Sequence, residues 1–190
     1  VTTPKGERRK QALVEAATTL LVEGGFDAVR HRAVAERAGL PLASTTYYFD
    51  RLDDLIAAAV EHHGRTELRW GRAALDAADT SAADTAGLIR LVLDLLLGPP
   101  GDNDAEAVLL RYERLVATGR RPYLRPLTLA LGEELRVLLA QAFDRFGRPV
   151  AAGRLEQLIA LVDGAVVNAL IEVNPDPRAA ARRMLTDFLT

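Results

Sequence analysis

The sequence predicts an all-α fold of nine helices. Three observations carry that expectation. Apolar residues recur at the three- and four-residue spacing of a helix face rather than in alternation. The breakers fall in clusters: Gly24-Gly25, Gly98-Pro99-Pro100-Gly101, Gly119-Arg120-Arg121-Pro122, Gly147-Arg148-Pro149 and Asn174-Pro175-Asp176-Pro177. No strand, repeat or low-complexity tract stands between them. Of the 190 residues, 49% are hydrophobic, ample for a core. The lack of cysteine excludes a disulfide framework and thiolate chemistry. No apolar run reaches the roughly 18 to 20 residues that a membrane span requires. The first ten residues, VTTPKGERRK, are polar and unlike a signal peptide, so a cytoplasmic location is expected.

Each helix has a local reason. The first is expected over residues 7–23, closed by Gly24-Gly25-Phe26. Two short helices follow, residues 30–38 and 42–49, joined by Gly39-Leu40-Pro41. A helix of about two turns is not stable alone and must be packed or serve in docking. Val34, Ala35 and Ala38 give the first short helix a small-residue face for close approach. Gly39 suits a left-handed ending, and Pro41 is expected in the first turn of the next helix. Phe49 is a large apolar anchor. Asp50 is expected to cap a long helix over residues 52–78, with Asp53 in a capping-box-like position. That helix carries Leu55, Ile56, Ala59, Val60, His63, Glu67 and Trp70 at one-face spacing. A break is expected at Thr80-Ser81-Ala82. Further helices are expected over residues 85–97, 105–118 (Asp104 as cap), 122–146, 151–173, and from Pro177 to about Leu189.

The two short helices and their turn have the form of a helix-turn-helix, whose second member enters the DNA major groove. The chain here resembles the TetR family of bacterial transcriptional regulators. The resemblance is carried by Ala35-Glu36-Arg37-Ala38-Gly39, then Ser44-Thr45-Thr46-Tyr47-Tyr48-Phe49, then Asp53-Asp54-Leu55, with the first helix and its Gly24-Gly25-Phe26 ending ahead of them. It covers about residues 8–60; the remainder is similar in length and helical character. The chain departs from the family pattern at four places. Thr45 stands for a buried leucine, Thr46 for a frequent tyrosine, Tyr48 for a frequent histidine, and Leu52 for a lysine that commonly touches DNA. The resemblance implies a helix-turn-helix domain over residues 1–51 and a helical ligand-binding and dimerisation domain over 52–190. It also implies a homodimeric repressor that leaves a pseudopalindromic operator when a small molecule binds.

Net charge gives little help: −2 overall, with eight Lys/Arg against seven Asp/Glu in the first 53 residues. Placement is more telling. Lys5, Arg8, Arg9 and Lys10 cluster at the start, suited either to a solvated helix end or to tracking phosphates. The expected DNA-contacting residues are Arg30, Arg32, Leu42, Ala43, Ser44, Thr46, Tyr47, Tyr48 and Arg51. The arginines suit phosphate or guanine. Ser44, Tyr47 and Tyr48 suit phosphates, and Leu42, Ala43 and the Thr46 methyl suit thymine methyls. With no Asn, Gln, Lys or Arg between Leu42 and Tyr48, DNA shape is expected to carry part of the specificity.

Polar and aromatic residues in otherwise apolar helices, namely His63, Trp70, Arg111, Tyr112, Tyr123 and Asn168, are the expected lining of a site for an unidentified small-molecule effector. Leu155, Leu158, Ile159, Val162, Ala165, Val166 and Ala169, with Met184, Leu185 and Phe188 of the last helix, form a band wider than one core face needs. They are the expected dimer interface. No cofactor and no metal are expected. His62 and His63 are adjacent and point about 100° apart. Zinc-protease, nucleophile-elbow and phosphate-loop motifs are all missing, which argues against an enzyme. The rival reading is a helical ligand-binding or scaffold protein whose DNA binding is weak or lost.

Overall fold

The computed structural model describes residues 4–79 and 84–189, and all its regular elements are helical. Nine α-helices and one 3₁₀ turn lie among the described residues: α1 Pro4–Ala28, α2 His31–Arg37, α3 Leu42–Tyr48, α4 Leu52–Ala77, α5 Thr85–Leu97, α6 Asp104–Thr118, the turn Pro122–Leu124, α7 Arg125–Arg145, α8 Ala152–Ile171 and α9 Pro177–Leu189. The break expected at Thr80-Ser81-Ala82 falls outside the described residues. The chain divides into two compact units. The first holds the residues up to Thr66 together with 113–129; the second holds 67–112 and 130–190. The N-terminal compact unit is therefore larger than residues 1–51.

The first unit is built around Leu13, Ala17, Leu21, Phe26, Val29, Val34, Phe49, Leu55, Ala59 and Leu124. α1 does not stop at Glu23. It kinks at Gly24 and Gly25, where Gly25 takes a positive φ of 67°, and a further turn brings Phe26 into the core. Leu124 comes from the far stretch 113–129 yet is fully buried here. Its neighbours fasten the same stretch. The Arg121 guanidinium lies 3.8 Å from the centroid of the Phe26 ring, and Arg121 also donates to the Ala117 carbonyl at 2.8 Å. Burial, and then the Asp53 carboxylate to which it is hydrogen-bonded, push the Tyr123 phenol above its ordinary range.

The second unit gathers around α5, eight of whose thirteen residues are buried. Asp84 caps it by accepting from the Gly87 N–H at 2.7 Å. α9 packs against both α5 and α8. On α4 the inward stripe passes through Gly71 and Leu75 rather than Trp70, which is 36% exposed. At Gly71 an added Cβ would come within 2.9 Å of Leu95 and Leu138, so glycine permits that approach. Arg178, at the start of α9, is 5% exposed and held by four hydrogen bonds. Two reach Asp104 (2.8 and 2.9 Å), one Asp94 (3.0 Å) and one the Gly98 carbonyl (2.8 Å). One guanidinium thereby ties the end of α5, the start of α6 and the start of α9.

Candidate nucleic-acid interface

α2 and α3 are short because their ends are fixed by the turn between them. Ala38 closes α2, its N–H reaching the Val34 carbonyl. Gly39 takes φ 64°, a left-handed conformation favoured by glycine, with no atom near a would-be Cβ. The Leu40 N–H returns to the Ala35 carbonyl at 2.9 Å. Pro41 stands at the N-cap of α3, one position earlier than expected, and its carbonyl accepts from the Ser44 N–H. Asp50 does not cap α4. The Arg51 carbonyl accepts from the Asp54 and Leu55 N–H groups, so Arg51 occupies the cap position.

α3 is held from one side only. Thr45 is fully buried, its hydroxyl donating to the Leu42 carbonyl at 2.8 Å. This explains how threonine is accommodated in a buried position, since its one polar group is satisfied within the helix. Phe49 is buried just beyond the helix. At about 100° per residue, Leu42, Thr46, Ala43 and Tyr47 fall in that order along one outward arc, and all four are exposed. Leu42 is 51% and Tyr47 78% exposed. Ser44 and Tyr48 are half-buried at its margins, the Tyr48 ring edge-on to Tyr47 with centroids 4.9 Å apart.

The cations around α3 differ in their engagements. Arg30 is exposed, and its Nε donates to the Asp27 carbonyl at 3.0 Å. Arg51 pairs with Asp54 at 3.1 Å, which raises the arginine and lowers the carboxyl. Arg37 makes a two-pronged bond to Glu23, 2.9 and 3.2 Å. Arg32 is exposed. On α1, Lys5, Arg8 and Arg9 are exposed, and the Lys10 ammonium lies 5.8 Å from the Phe49 ring centroid.

Comparison with known proteins matches this arrangement to one family. Residues 13–59 match "Bacterial regulatory proteins, tetR family", and residues 80–190 match "Tetracyclin repressor-like, C-terminal domain". The chain belongs to the TetR family. It is a DNA-binding transcriptional regulator rather than an enzyme. The multidrug-binding protein EbrR, solved with ethidium, is 32% identical, with 95% of this chain and 97% of EbrR covered and a TM-score of 0.69. The protein SCO7518 of Streptomyces coelicolor A3(2) is 28% identical, with 96% and 99% covered and a TM-score of 0.68. The transcriptional repressor KstR of Rhodococcus jostii (strain RHA1) is 26% identical over 182 residues, 95% of this chain and 68% of KstR.

In this TetR-family chain the six residues expected to line an effector site are distributed over both compact units. His63 and Tyr123 belong to the first unit, where His63 Nε2 lies 3.2 Å from Arg114. Trp70, Arg111 and Tyr112 belong to the second. There the Arg111 guanidinium pairs with Glu67. The buried Tyr112 hydroxyl donates to Asp163 of α8 at 2.7 Å. Burial, then Asp163, push the Tyr112 phenol far up, so it stays a donor. Asn168 lies on another face of α8, about 140° round from Asp163. It lines a surface groove of about 490 Å³ between α8 and α9 with Leu161, Gly164, Ala165, Met184 and Asp187.

The residues expected at a dimer interface divide in two. Leu155, Leu158, Val162, Val166 and Leu185 are buried in the core of their own chain, while Ala169, also buried, lines the α8–α9 groove. Ile159, Ala165 and Phe188 are half-buried, with the Arg154 guanidinium 3.4 Å from the Phe188 ring centroid, and Met184 is 45% exposed. Arg183, which sequence reasoning passed over, joins Gly164, Ala165 and Met184 along the groove. Among the described residues no helix is long and apolar enough to cross a membrane.

Proposed function

We propose that this regulator is a ligand-released repressor that binds a pseudopalindromic operator as a homodimer, each protomer laying α3 in the major groove. The observation that carries the reading is the outward arc of α3, with Leu42, Thr46, Ala43 and Tyr47 exposed while Thr45 and Phe49 hold the helix down. The DNA-facing set is Arg30, Arg32, Leu42, Ala43, Ser44, Thr46, Tyr47, Tyr48 and Arg51, with the Tyr47 hydroxyl and the arginines suited to phosphates. The groove of α8 and α9 supports the homodimer. Its small Gly164 and Ala165 and its exposed Met184 suit close approach by the same helices of a second copy, a self-complementary two-fold contact. Such a dimer sets its two recognition helices about one DNA turn apart.

For the effector, support comes from EbrR, solved with ethidium, proflavin and malachite green, all aromatic cations. In the present chain Asp163, half-buried and held by Tyr112, and Glu67, paired with Arg111, supply carboxylates in the second unit for a guest of that charge. Release follows by linkage if the guest prefers the state that binds DNA less well. Selection of bound duplexes from a random library at about 0.15 M salt tests the core of the proposal. Recovery of an inverted repeat supports it; a folded protein that enriches no sequence rejects it. Malachite green is then titrated into the protein–operator complex, with protein-free duplex as control. Release supports the effector class, whereas binding without any loss of operator affinity goes against it.

A further inference from the structure

We propose that this protein reads its operator through the 5-methyl groups of thymine, with Leu42, Ala43 and Thr46 as the reading surface. The inference rests on the DNA-binding reading above and names what α3 recognises. From Leu42 to Tyr48 the helix is LASTTYY. It holds no guanidinium, ammonium, carboxylate or side-chain amide. The two-pronged contacts that identify guanine or adenine in the major groove need arginine, lysine, asparagine or glutamine. Two of its hydroxyls are already turned inward along the helix. Thr45 donates to the Leu42 carbonyl, and Thr46 donates to the Ala43 carbonyl at 3.3 Å, leaving its methyl as the unengaged end.

Apart from Tyr47, what remains on the outward arc is apolar: the Leu42 side chain at 51% exposure, the Ala43 methyl and the Thr46 methyl, side by side within about 100° of the helix circumference. An exposed leucine at the start of such a helix is unfavourable in water and gains by covering an apolar group. Among the groups that base edges present in the major groove, the thymine methyl is the apolar one. Tyr47, at the far margin of the arc, is left for the backbone.

The test uses the operator recovered by selection, remade with deoxyuridine in place of thymine at one position at a time. Base pairing is kept and the methyl alone is lost. At two or three positions in each half-site, affinity is expected to fall about fourfold per methyl removed. In Leu42→Ala the loss at one of those positions is expected to shrink toward none, because the group that covered the methyl is gone. An operator whose affinity is unchanged when every thymine is replaced overturns the proposal and leaves the DNA-binding reading standing. So does an equal loss in the wild type and in Leu42→Ala, which marks a change in DNA shape rather than a methyl contact. A protein that selects no duplex overturns both readings.

Discussion

Two residues separate surface function from internal support. Tyr47 is 78% exposed, its ring edge-on to its neighbour Tyr48, so its removal leaves the core intact. A hydrogen bond to a charged phosphate contributes about 1.5–3 kcal/mol. Tyr47→Ala is therefore expected to weaken operator binding tenfold or more, read by fluorescence anisotropy, with an unchanged circular dichroism spectrum and sedimentation coefficient. Arg178 is the opposite case. It is 5% exposed, and Arg178→Met leaves the Asp94 and Asp104 carboxylates without their cation. Breaking a buried pair in that way costs about 3–5 kcal/mol, to be read in the urea midpoint. The outward position of Tyr47 was legible in the sequence because the short helix, its glycine turn and Phe49 are local signals that fix which side faces out. Arg178 was not, since a basic residue at the start of a polar helix reads as solvated. The available signal was Asp94, a lone carboxylate in the apolar α5, which requires a buried cation or proton to satisfy it.

At the scale of elements, the boundaries were legible wherever glycine or proline sits at them, and less so where distant segments decide. The stretch 113–129 reads in the sequence as the end of one helix and the start of the next. In the structure it delivers Leu124 into the core of the unit that carries α2 and α3. No periodicity announces a contact between residues a hundred positions apart. Leu124→Ala is expected to cost about 2–5 kcal/mol, the range for a buried leucine truncated to alanine. Because that core supports α3, operator affinity is expected to fall with it while the Tyr112–Asp163 contact in the other unit persists. Hydrogen exchange would localise the loss to α1–α3. Unfolding confined to the second unit is the contrary result. The end of α8 carries the reverse defect. Val173 takes φ 55° and is 87% exposed, a left-handed backbone on a β-branched residue with little packing in return. Val173→Gly is expected to stabilise the protein by about 1 kcal/mol, seen as a higher Tm.

For the whole molecule, the sequence displayed the breadth of the apolar band on α8 but not which part of it the chain covers for itself. Periodicity records that a side is buried; it does not record by whom. Leu155, Leu158, Val162 and Val166 meet the chain's own core, so the surface proposed for a second copy is the groove of Gly164, Ala165, Ala169 and Met184. The two sets respond differently to substitution. Gly164 is exposed, with nothing within 4 Å of a would-be Cβ, so Gly164→Arg is accommodated in the protomer and obstructs only a close-packed partner helix. Leu158 is fully buried, so Leu158→Ala opens a cavity costing about 2–5 kcal/mol. Sedimentation of Gly164→Arg is expected to show monomers with native helical content. Its operator affinity should fall steeply, since one protomer then holds one half-site without the second. Leu158→Ala is expected to lower the Tm while any protein that remains folded still dimerises. A Gly164→Arg protein that stays dimeric would move the interface off this groove, and the spacing of the two recognition helices would then have to be set by another face of the molecule.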